Sequence, residues 1–244
     1  DLDPENLLVM ELPQGRVILE LAPHFAPNHA ANIRALTRAG YFNGAAILRS
    51  QDNYVVQWGR ADEDPAPLGD GAETVAHEIT RPAGAVEFTR LPDPDTYAPQ
   101  VGFSHGFPAA RAGDEIWLAH CYGMVGSGRG EGLDSGNGGS LYAVNAQMPR
   151  NLDRNITLIG RVVQGMDILS VMPRGTGALG FYETAAERTP ITSARLAADM
   201  PEGDRVRLET VRTDSATWAA LVESRRTRRD SFFAANPVNR LGVG

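Results

Sequence analysis

The sequence predicts a mainly β protein, an antiparallel β-barrel with helical plugs. Short apolar or alternating runs recur between clusters of Gly, Pro, Asp and Asn, as expected for many short strands. Only two or three segments have helical spacing, and no internal repeat is visible. A chain of 244 residues is long enough for one large β domain or two small ones. Together these observations favour a closed barrel over a helical bundle or a doubly wound sheet.

The N-terminal third predicts a hairpin, a helix and two further strands. Pro13, Gln14 and Gly15 supply turn chemistry between two alternating runs. Pro27 is placed where the first turn of a helix tolerates proline, and Gly40 can end that helix. The predicted elements are strands at 7–11 and 17–21, a helix at 27–36, and strands at 45–49 and 54–58.

The remainder of the chain alternates loops with short strands. Residues 60–114 are rich in Pro, Gly and Asp, which predicts long surface loops with short strands near 76–80 and 85–89. The glycine-rich stretch 123–139 predicts a mobile loop. The other predicted elements are strands at 115–120, 140–144, 156–163, 189–197 and 206–211, a short helix at 166–172, and a final helix capped by Asp214 that packs through Trp218, Leu221 and Val222.

Composition excludes several classes of function. The net charge is −7, so binding to nucleic acid or to an anionic membrane is not expected. Every basic residue other than histidine is Arg, which excludes lysine chemistry such as a Schiff base. Cys121 is the only cysteine, and the five histidines lack metal-ligand spacing, so neither a disulfide within the chain nor a metal or cofactor is expected. No apolar run reaches membrane-spanning length.

Several short motifs follow one another in a fixed order over about residues 7–173. Ile-Leu-Arg at 47–49, followed by Tyr-Val-Val-Gln at 54–57, resembles F-H-R…F-x-x-Q-G-G. Leu-Ala-His at 118–120 resembles M-A-N, and Gly-Ser-Leu-Tyr-Ala-Val at 139–144 resembles G-S-Q-F-F-I. Leu-Asp at 152–153, with Gly-Met-Asp at 165–167, resembles L-D-G…G-M-D. In this order, the motifs resemble those of the cyclophilin family.

The resemblance implies an architecture. It implies a closed antiparallel barrel capped by two helices, spanning residues 1–194 with insertions at about 60–114 and 122–139. Residues 195–244 then form a C-terminal extension that packs on the barrel and carries a terminal helix, without being an independent domain. The extension resembles those of some exported bacterial cyclophilins. With the absence of Lys and a first residue that is not Met, this predicts a periplasmic or exported protein, and the cytoplasm remains the alternative.

The resemblance also implies peptidyl-prolyl cis-trans isomerase activity on proline-containing peptides or unfolded polypeptides, by a monomer without a cofactor. The X-Pro bond rotates slowly because amide resonance opposes twisting, with a barrier of ~18–20 kcal/mol. No covalent step is needed. A fixed guanidinium can bond the proline carbonyl and stabilise the twisted amide, and Arg49 has that role by resemblance. The structural alternative for Arg49 is an ordinary salt bridge at a strand end.

Around Arg49 the resemblance implies an apolar floor, an amide that orients the arginine, and backbone groups that pair with the peptide. The substrate-binding residues it implies are Gln57, Tyr54, Val55, Ala119, His120, Leu141, Tyr142, Ala143, Leu152 and Ile156. Several positions depart from the family pattern: Leu48, Leu141, Ala143, Asn151 and Ile156. Ala143 is expected to remove a phenyl wall of the pocket. These departures leave a second hypothesis open, a peptide-binding module with little or no isomerase activity.

Overall fold

A nine-stranded antiparallel sheet forms the body of the protein. The structure is a computed structural model, and it describes residues 1–147 and 149–235. Strands are numbered in chain order. Across the sheet they are β13 (Thr189–Pro190), β3 (Ala46–Ser50), β4 (Val55–Gly59), β11 (Ser140–Val144), β10 (Met124–Ser127), β12 (Leu158–Gln164), β2 (Gly15–Leu21), β1 (Leu7–Leu12) and β14 (Ser193–Leu196).

The sheet closes on itself because its two edge strands are neighbours in the chain. Only Ile191 and Thr192 separate β13 from β14. The Ile191 amide donates to the Ala45 carbonyl at 2.7 Å, and the Thr192 amide donates to the Glu11 carbonyl at 2.9 Å. One continuous segment therefore joins both edges, which removes the open edges a flat sheet would expose. The predicted mainly β, closed antiparallel barrel is confirmed.

Two helices cap this barrel, as predicted. Helix α1 (Pro27–Arg38) begins with proline, and its Ile33 and Leu36 are fully buried in the barrel core. Helix α2 (Met166–Ser170) buries Leu169 in the same core. Trp58 and Met10 are among the large side chains that fill the interior between them.

A second, five-stranded sheet lies beside the barrel. Its strands, in spatial order, are β5 (Arg81–Pro82), β9 (Glu115–Leu118), β8 (Phe107–Ala112), β7 (Gln100–Ser104) and β6 (Thr89–Arg90). Loops had been expected through residue 114, so the prediction was wrong for the β7–β8 hairpin. His105 and Gly106 both have positive φ, the geometry of a type I′ turn, which joins two strands through two residues. That dipeptide was the sequence signal for the hairpin.

Three further element predictions require correction. Strand β10 lies inside the stretch predicted as a mobile glycine-rich loop, and it pairs on both sides, with β11 and β12. Residues 206–211 form no regular strand, although the Leu2 amide donates to the Leu208 carbonyl. Helix α3 (Ala216–Arg226) is capped by Ser215 rather than Asp214, because the Ser215 hydroxyl accepts from the Trp218 amide.

Helix α3 packs on the second sheet through one face. The Trp218 ring meets the Phe103 ring edge-on at 4.8 Å, and Val222 joins a cluster around Trp117, whereas Leu221 stays exposed. The part of the predicted extension at 236–244 lies outside the described residues. Among the helices of the described ranges, none combines the length and apolarity that crossing a bilayer demands.

Candidate active site

A β-bulge turns Arg49 away from the barrel core. Ile47 pairs with Trp58 and both face the interior, whereas the next registered pair is Arg49 with Gln57. In a regular strand Arg49 would share the face of Ile47, two residues away. The extra residue, Leu48, shifts the register and sends the arginine to the outer face beside Gln57.

Three neutral oxygens hold the Arg49 guanidinium. Its Nε donates to the Leu179 carbonyl at 2.6 Å, and Nη1 donates to Gln57 Oε1 at 3.2 Å. Nη2 donates to the side-chain oxygen of Gln51. Within residues 1–147 and 149–235 Arg49 makes no ion pair, which differs from the salt-bridge alternative. The group is thus fixed in orientation while its positive charge is not neutralised by a carboxylate.

Two aromatic rings flank the same guanidinium. The Arg49 Cζ lies 5.5 Å from the centroid of Tyr54 and 5.2 Å from that of Phe181. Both distances are within the range of cation–π attraction. Burial between these groups lowers the pKa of Arg49, but an arginine still stays charged at neutral pH. Phe181 is a neighbour that sequence reasoning missed, since 132 positions of chain separate it from Arg49.

Gln57 links Arg49 to the next strand. Its Oε1 accepts from Arg49, and its Nε2 donates to the Ser140 hydroxyl at 3.0 Å. Both ends of the amide are therefore used, and the rotamer of Gln57 is fixed. Ser140 belongs to the motif at 139–144, but the sequence analysis predicted no role for it. The link arises because β4 and β11 are adjacent in the sheet.

An apolar cluster lies between the outer face of the barrel and the second sheet, and the predicted floor belongs to it. Val55 and Ala119 are buried there, and Tyr54 and Ile156 are half-buried at its edge. Leu152 lies in the single 3₁₀ turn Arg150–Leu152, and its carbonyl accepts from the Ile156 amide at 3.3 Å. The structure thus groups most of the predicted floor on the face that carries Arg49.

Leu141 and Ala143 lie elsewhere. They pair with Trp58 and Val56, and both are fully buried in the barrel interior. The residue between them, Tyr142, pairs with Gln57 and shares its face, because side chains alternate along a strand. The structure therefore differs from the expectation that Ala143 leaves a gap in the pocket. An aromatic ring, that of Tyr142, is present on the site face.

A buried hydrogen-bond chain holds Tyr142. His120 Nδ1 lies 3.1 Å from Asp153 Oδ1, and His120 Nε2 lies 2.9 Å from the Tyr142 hydroxyl. With the carboxylate as acceptor, Nδ1 donates, and Nε2 accepts from the hydroxyl. Burial lowers the pKa of His120 against the opposing effect of Asp153, and burial raises the pKa of Tyr142. Both groups are therefore neutral at pH 7, and the chain is a fixed support for the ring.

The backbone donors predicted to pair with a peptide are already used. The Ala119 amide donates to the Pro108 carbonyl at 3.0 Å. The His120 amide donates to Asp153 Oδ1 at 2.9 Å. Strand β8, which the sequence had not predicted, supplies the first of these acceptors. Both N–H groups therefore have acceptors within the protein and are not free for a ligand.

Asp153 is a polar hub that sequence reasoning missed. Besides both His120 donors, it accepts from Trp117 Nε1 at 3.2 Å and from Arg150 Nε at 2.5 Å. The Arg150 side chain is fully buried and also contacts Asp95. These bonds lower the pKa of Asp153, although burial opposes them. The hub fixes the 3₁₀ turn that carries Leu152.

Covalent and metal chemistry find little support at this face. Cys121 is buried, and burial raises the pKa of its thiol to about 12, so it is not a thiolate at neutral pH. In the described part of the chain no group of three or more His, Cys, Asp or Glu side chains is arranged to hold a metal ion. The site offers a fixed cation, a fixed amide and an apolar floor.

Sequence comparison relates the chain to known isomerases. The family model "Cyclophilin type peptidyl-prolyl cis-trans isomerase/CLD" matches residues 7–195. A probable peptidyl-prolyl cis-trans isomerase of Brucella suis is 29% identical over 199 residues, covering 81% of this chain and 85% of the relative. The human peptidyl-prolyl cis-trans isomerase-like 1 is 24% identical over 200 residues, covering 82% and 94%.

Comparison with solved structures agrees with the relation found by sequence comparison. Cyclophilin AquaCyp293 from Hirschia baltica superposes with a TM-score of 0.73 at 25% identity, covering 96% of this chain and 90% of that one. That match includes most of the C-terminal extension. A Cryptosporidium parvum cyclophilin gives a TM-score of 0.51 at 14% identity, covering 78% and 98%, which shows the shared fold. The family match, the fold and the arrangement around Arg49 lead to one conclusion: this chain belongs to the cyclophilin-type peptidyl-prolyl cis-trans isomerases.

Proposed function

We propose that the chain isomerises X-Pro bonds in peptides and unfolded polypeptides, with Arg49 stabilising the twisted amide. The observation that carries this proposal is the fixed guanidinium at the edge of an apolar cluster, bonded to three neutral oxygens. A cation held in this way is preorganised, since its orientation does not have to be found during the reaction. The proposed result is assistance to the folding of proteins whose folding waits for proline isomerisation.

In this mechanism the pyrrolidine ring packs on the half-buried side chains of Tyr54 and Ile156, at the edge of the cluster that buries Val55. Three of the five guanidinium N–H groups of Arg49 donate to the described oxygens, which leaves two for the proline carbonyl. As the amide twists, resonance is lost and the prolyl nitrogen becomes pyramidal, with a lone pair that a nearby cation stabilises. No bond to the protein forms or breaks.

Two comparisons support a proline-containing substrate. Relatives that match most of this chain have names as peptidyl-prolyl isomerases. The Cryptosporidium parvum cyclophilin of the same fold was crystallised in the presence of the dipeptide Ala-Pro. The chemistry of the floor agrees, since an apolar, partly aromatic surface suits a pyrrolidine ring.

The test is a protease-coupled isomerisation assay on a short X-Pro peptide. Removing a donor aimed at developing charge costs roughly 10²–10³ in rate, so Arg49→Ala should lower kcat/KM by about that factor. Arg195→Ala is the matched control, because Arg195 is an exposed arginine on barrel strand β14. Wild-type activity should survive in the control. Equal rates in wild type and Arg49→Ala would reject the role of Arg49.

The second candidate is a peptide-binding module with little turnover. It is favoured by the contacts that Phe181 and Gln51 already make with Arg49, because these compete with a substrate for the guanidinium. This candidate predicts that titration with an X-Pro peptide shifts NMR signals of Tyr54 and Val55 without accelerating exchange. Acceleration above the uncatalysed rate at saturating protein would exclude it.

A further inference from the structure

An overlying segment, residues 175–182, lies against the strand that carries Arg49. The Gly175 amide donates to the Ser50 carbonyl at 2.9 Å, and the Tyr182 amide donates to the Leu48 carbonyl at 3.0 Å. Between them, Phe181 and Arg49 form an isolated antiparallel bridge. These bonds bind the overlying segment to β3 on both sides of the site arginine.

Close packing shows that the overlying segment is a fixed part of the site. A Cβ added to Gly180 would lie 2.7 Å from Gln51 Cα, and Gly180 has a φ of 77°. A Cβ added to Gly175 would lie 2.0 Å from the Gly180 carbonyl oxygen. Only glycine permits these approaches at both positions. The backbone of the segment is therefore held next to Gln51, itself a partner of Arg49.

The overlying segment exposes two large apolar side chains beside Arg49. Leu179 is 66% exposed and Phe181 is 39% exposed. Leu179 also has a φ of 56°, a left-handed conformation that is strained for a non-glycine residue. That conformation is coupled to the site, because the Leu179 carbonyl accepts from Arg49 Nε at 2.6 Å. Strain and apolar exposure at one position are typical of a functional surface.

We propose that Phe181 and Leu179 form a specificity subsite for the residue that directly follows the proline, with preference for an aromatic or large apolar side chain. This inference rests on the proposed function, in which Arg49 bonds the proline carbonyl. The following residue is attached to that carbonyl, and its Cα lies about 3.8 Å from the Cα of the proline. The Tyr54 ring, which flanks the guanidinium, belongs to the floor, whereas the Phe181 ring, which also flanks it, belongs to the overlying segment.

The subsite has a chemical preference that follows from its residues. An aromatic side chain from the substrate can stack on Phe181 and cover Leu179, which removes exposed apolar surface from water. Aromatic pairs contribute about 0.5–1.5 kcal/mol beyond burial, which corresponds to roughly two- to tenfold in kcat/KM. A glycine after the proline forgoes this contact, and a glutamate adds a charge to an apolar surface.

The experiment compares three peptides that differ only in the residue after proline: Phe, Gly and Glu. In the wild type, kcat/KM should be highest for Phe. Phe181→Ala should lower kcat/KM for the Phe peptide by roughly two- to tenfold more than for the Gly peptide, because the lost contact with Arg49 affects both peptides and the lost subsite affects the Phe peptide alone. Leu179→Gly removes the second side chain and suits the positive φ, so it tests the subsite in a fold without added strain.

Phe232→Ala is the matched control, since Phe232 is an exposed aromatic residue whose ring contact is Phe233. It should leave all three rates unchanged. Unaltered preference in both Phe181→Ala and Leu179→Gly would overturn the inference. Equal acceleration of every peptide by Phe181→Ala would also overturn it, because Phe181 would then obstruct the site.

Peptide dissociation constants separate this inference from the proposed function. If the wild type isomerises none of the peptides, the proposed function fails, and the binding constants still decide whether Phe181 favours the Phe peptide. If all peptides are isomerised with no dependence on Phe181 or Leu179 in rate or binding, only the subsite fails. Thermal melting of each variant shows whether it is folded.

Discussion

Gln57 is predicted to act on catalysis through Arg49. Its Oε1 accepts from Arg49 Nη1 at 3.2 Å, and its Nε2 donates to Ser140. Gln57→Leu keeps the approximate size of the side chain and removes both bonds. The guanidinium would then retain two of its three described acceptors, and its orientation would be less well defined.

The magnitude follows from the length and the partners of the lost bond. A hydrogen bond to a charged group contributes about 1.5–3 kcal/mol, and a separation of 3.2 Å places this one at the weak end. About 1.4 kcal/mol corresponds to tenfold, so we expect Gln57→Leu to lower kcat/KM about tenfold. This loss is smaller than the roughly 10²–10³ expected for loss of the guanidinium itself.

A double-mutant cycle on one X-Pro peptide is the assay. If Gln57 acts by orienting Arg49, Gln57→Leu should change kcat/KM by less than about twofold in the Arg49→Ala background. A second tenfold loss in that background would refute the reasoning, because Gln57 would then act on the peptide directly. Melting temperatures of the four proteins establish that each is folded before its rates are compared.

Three further predictions concern the polar support of the site. Asp153→Asn weakens the bonds to the fully buried guanidinium of Arg150 and to His120. Urea titration should therefore show that the free energy of unfolding falls by about 3–5 kcal/mol, and a fall below about 1 kcal/mol would contradict the role of Asp153 as a hub. Gly126→Ala places a Cβ 2.3 Å from the Tyr142 ring, so we expect the free energy of unfolding to fall by about 1–3 kcal/mol. In the control Gly203→Ala the added Cβ meets open space, and the free energy of unfolding should hardly change. Burial lowers the pKa of His120 in the folded protein. As the pH falls below about 6.5, this imidazole is therefore protonated in the unfolded chain before it is protonated in the folded one. Stability should therefore decline there by up to about 1.4 kcal/mol per pH unit, and unfolding curves of His120→Gln should show a smaller slope; equal slopes would contradict this assignment.

The elements that depend on residues close together in the chain could be predicted from the sequence. The helix that begins at Pro27 and the hairpin around Gly15 follow from residues a few positions apart. Membership of the cyclophilin-type isomerase family followed from collinear motifs and is confirmed. The hairpin at His105 and Gly106 was missed because a histidine at positive φ is a weaker turn signal than asparagine.

The sequence did not determine which residues of β11 lie on the face that carries the site. A shift of one residue exchanges the two faces of a strand, and motif letters alone do not fix that shift. Leu141, Tyr142 and Ala143 were therefore all assigned to the site, and of these three it is Tyr142 that lies on the site face. Long-range contacts were also missed, above all those of the overlying segment, because nothing local in the chain brings Phe181 to Arg49.

Some predictions from sequence stay predictions. The domain limits at 194 and 195, the monomeric state, and the periplasmic or exported location are of this kind. Light scattering of the purified protein tests the oligomeric state. Fractionation of the source cells tests the location, and recovery in the cytoplasmic fraction would contradict an exported protein.

Exchange NMR on Arg49→Lys tests the central claim most directly. Lysine keeps the positive charge but lacks the planar fork that three oxygens hold in place. With an X-Pro peptide at saturating protein, we predict that the cis/trans exchange rate falls about 100-fold while the peptide dissociation constant changes by only a few fold. An exchange rate equal to that of the wild type would show that a charge alone suffices and that the held guanidinium does not carry the catalysis.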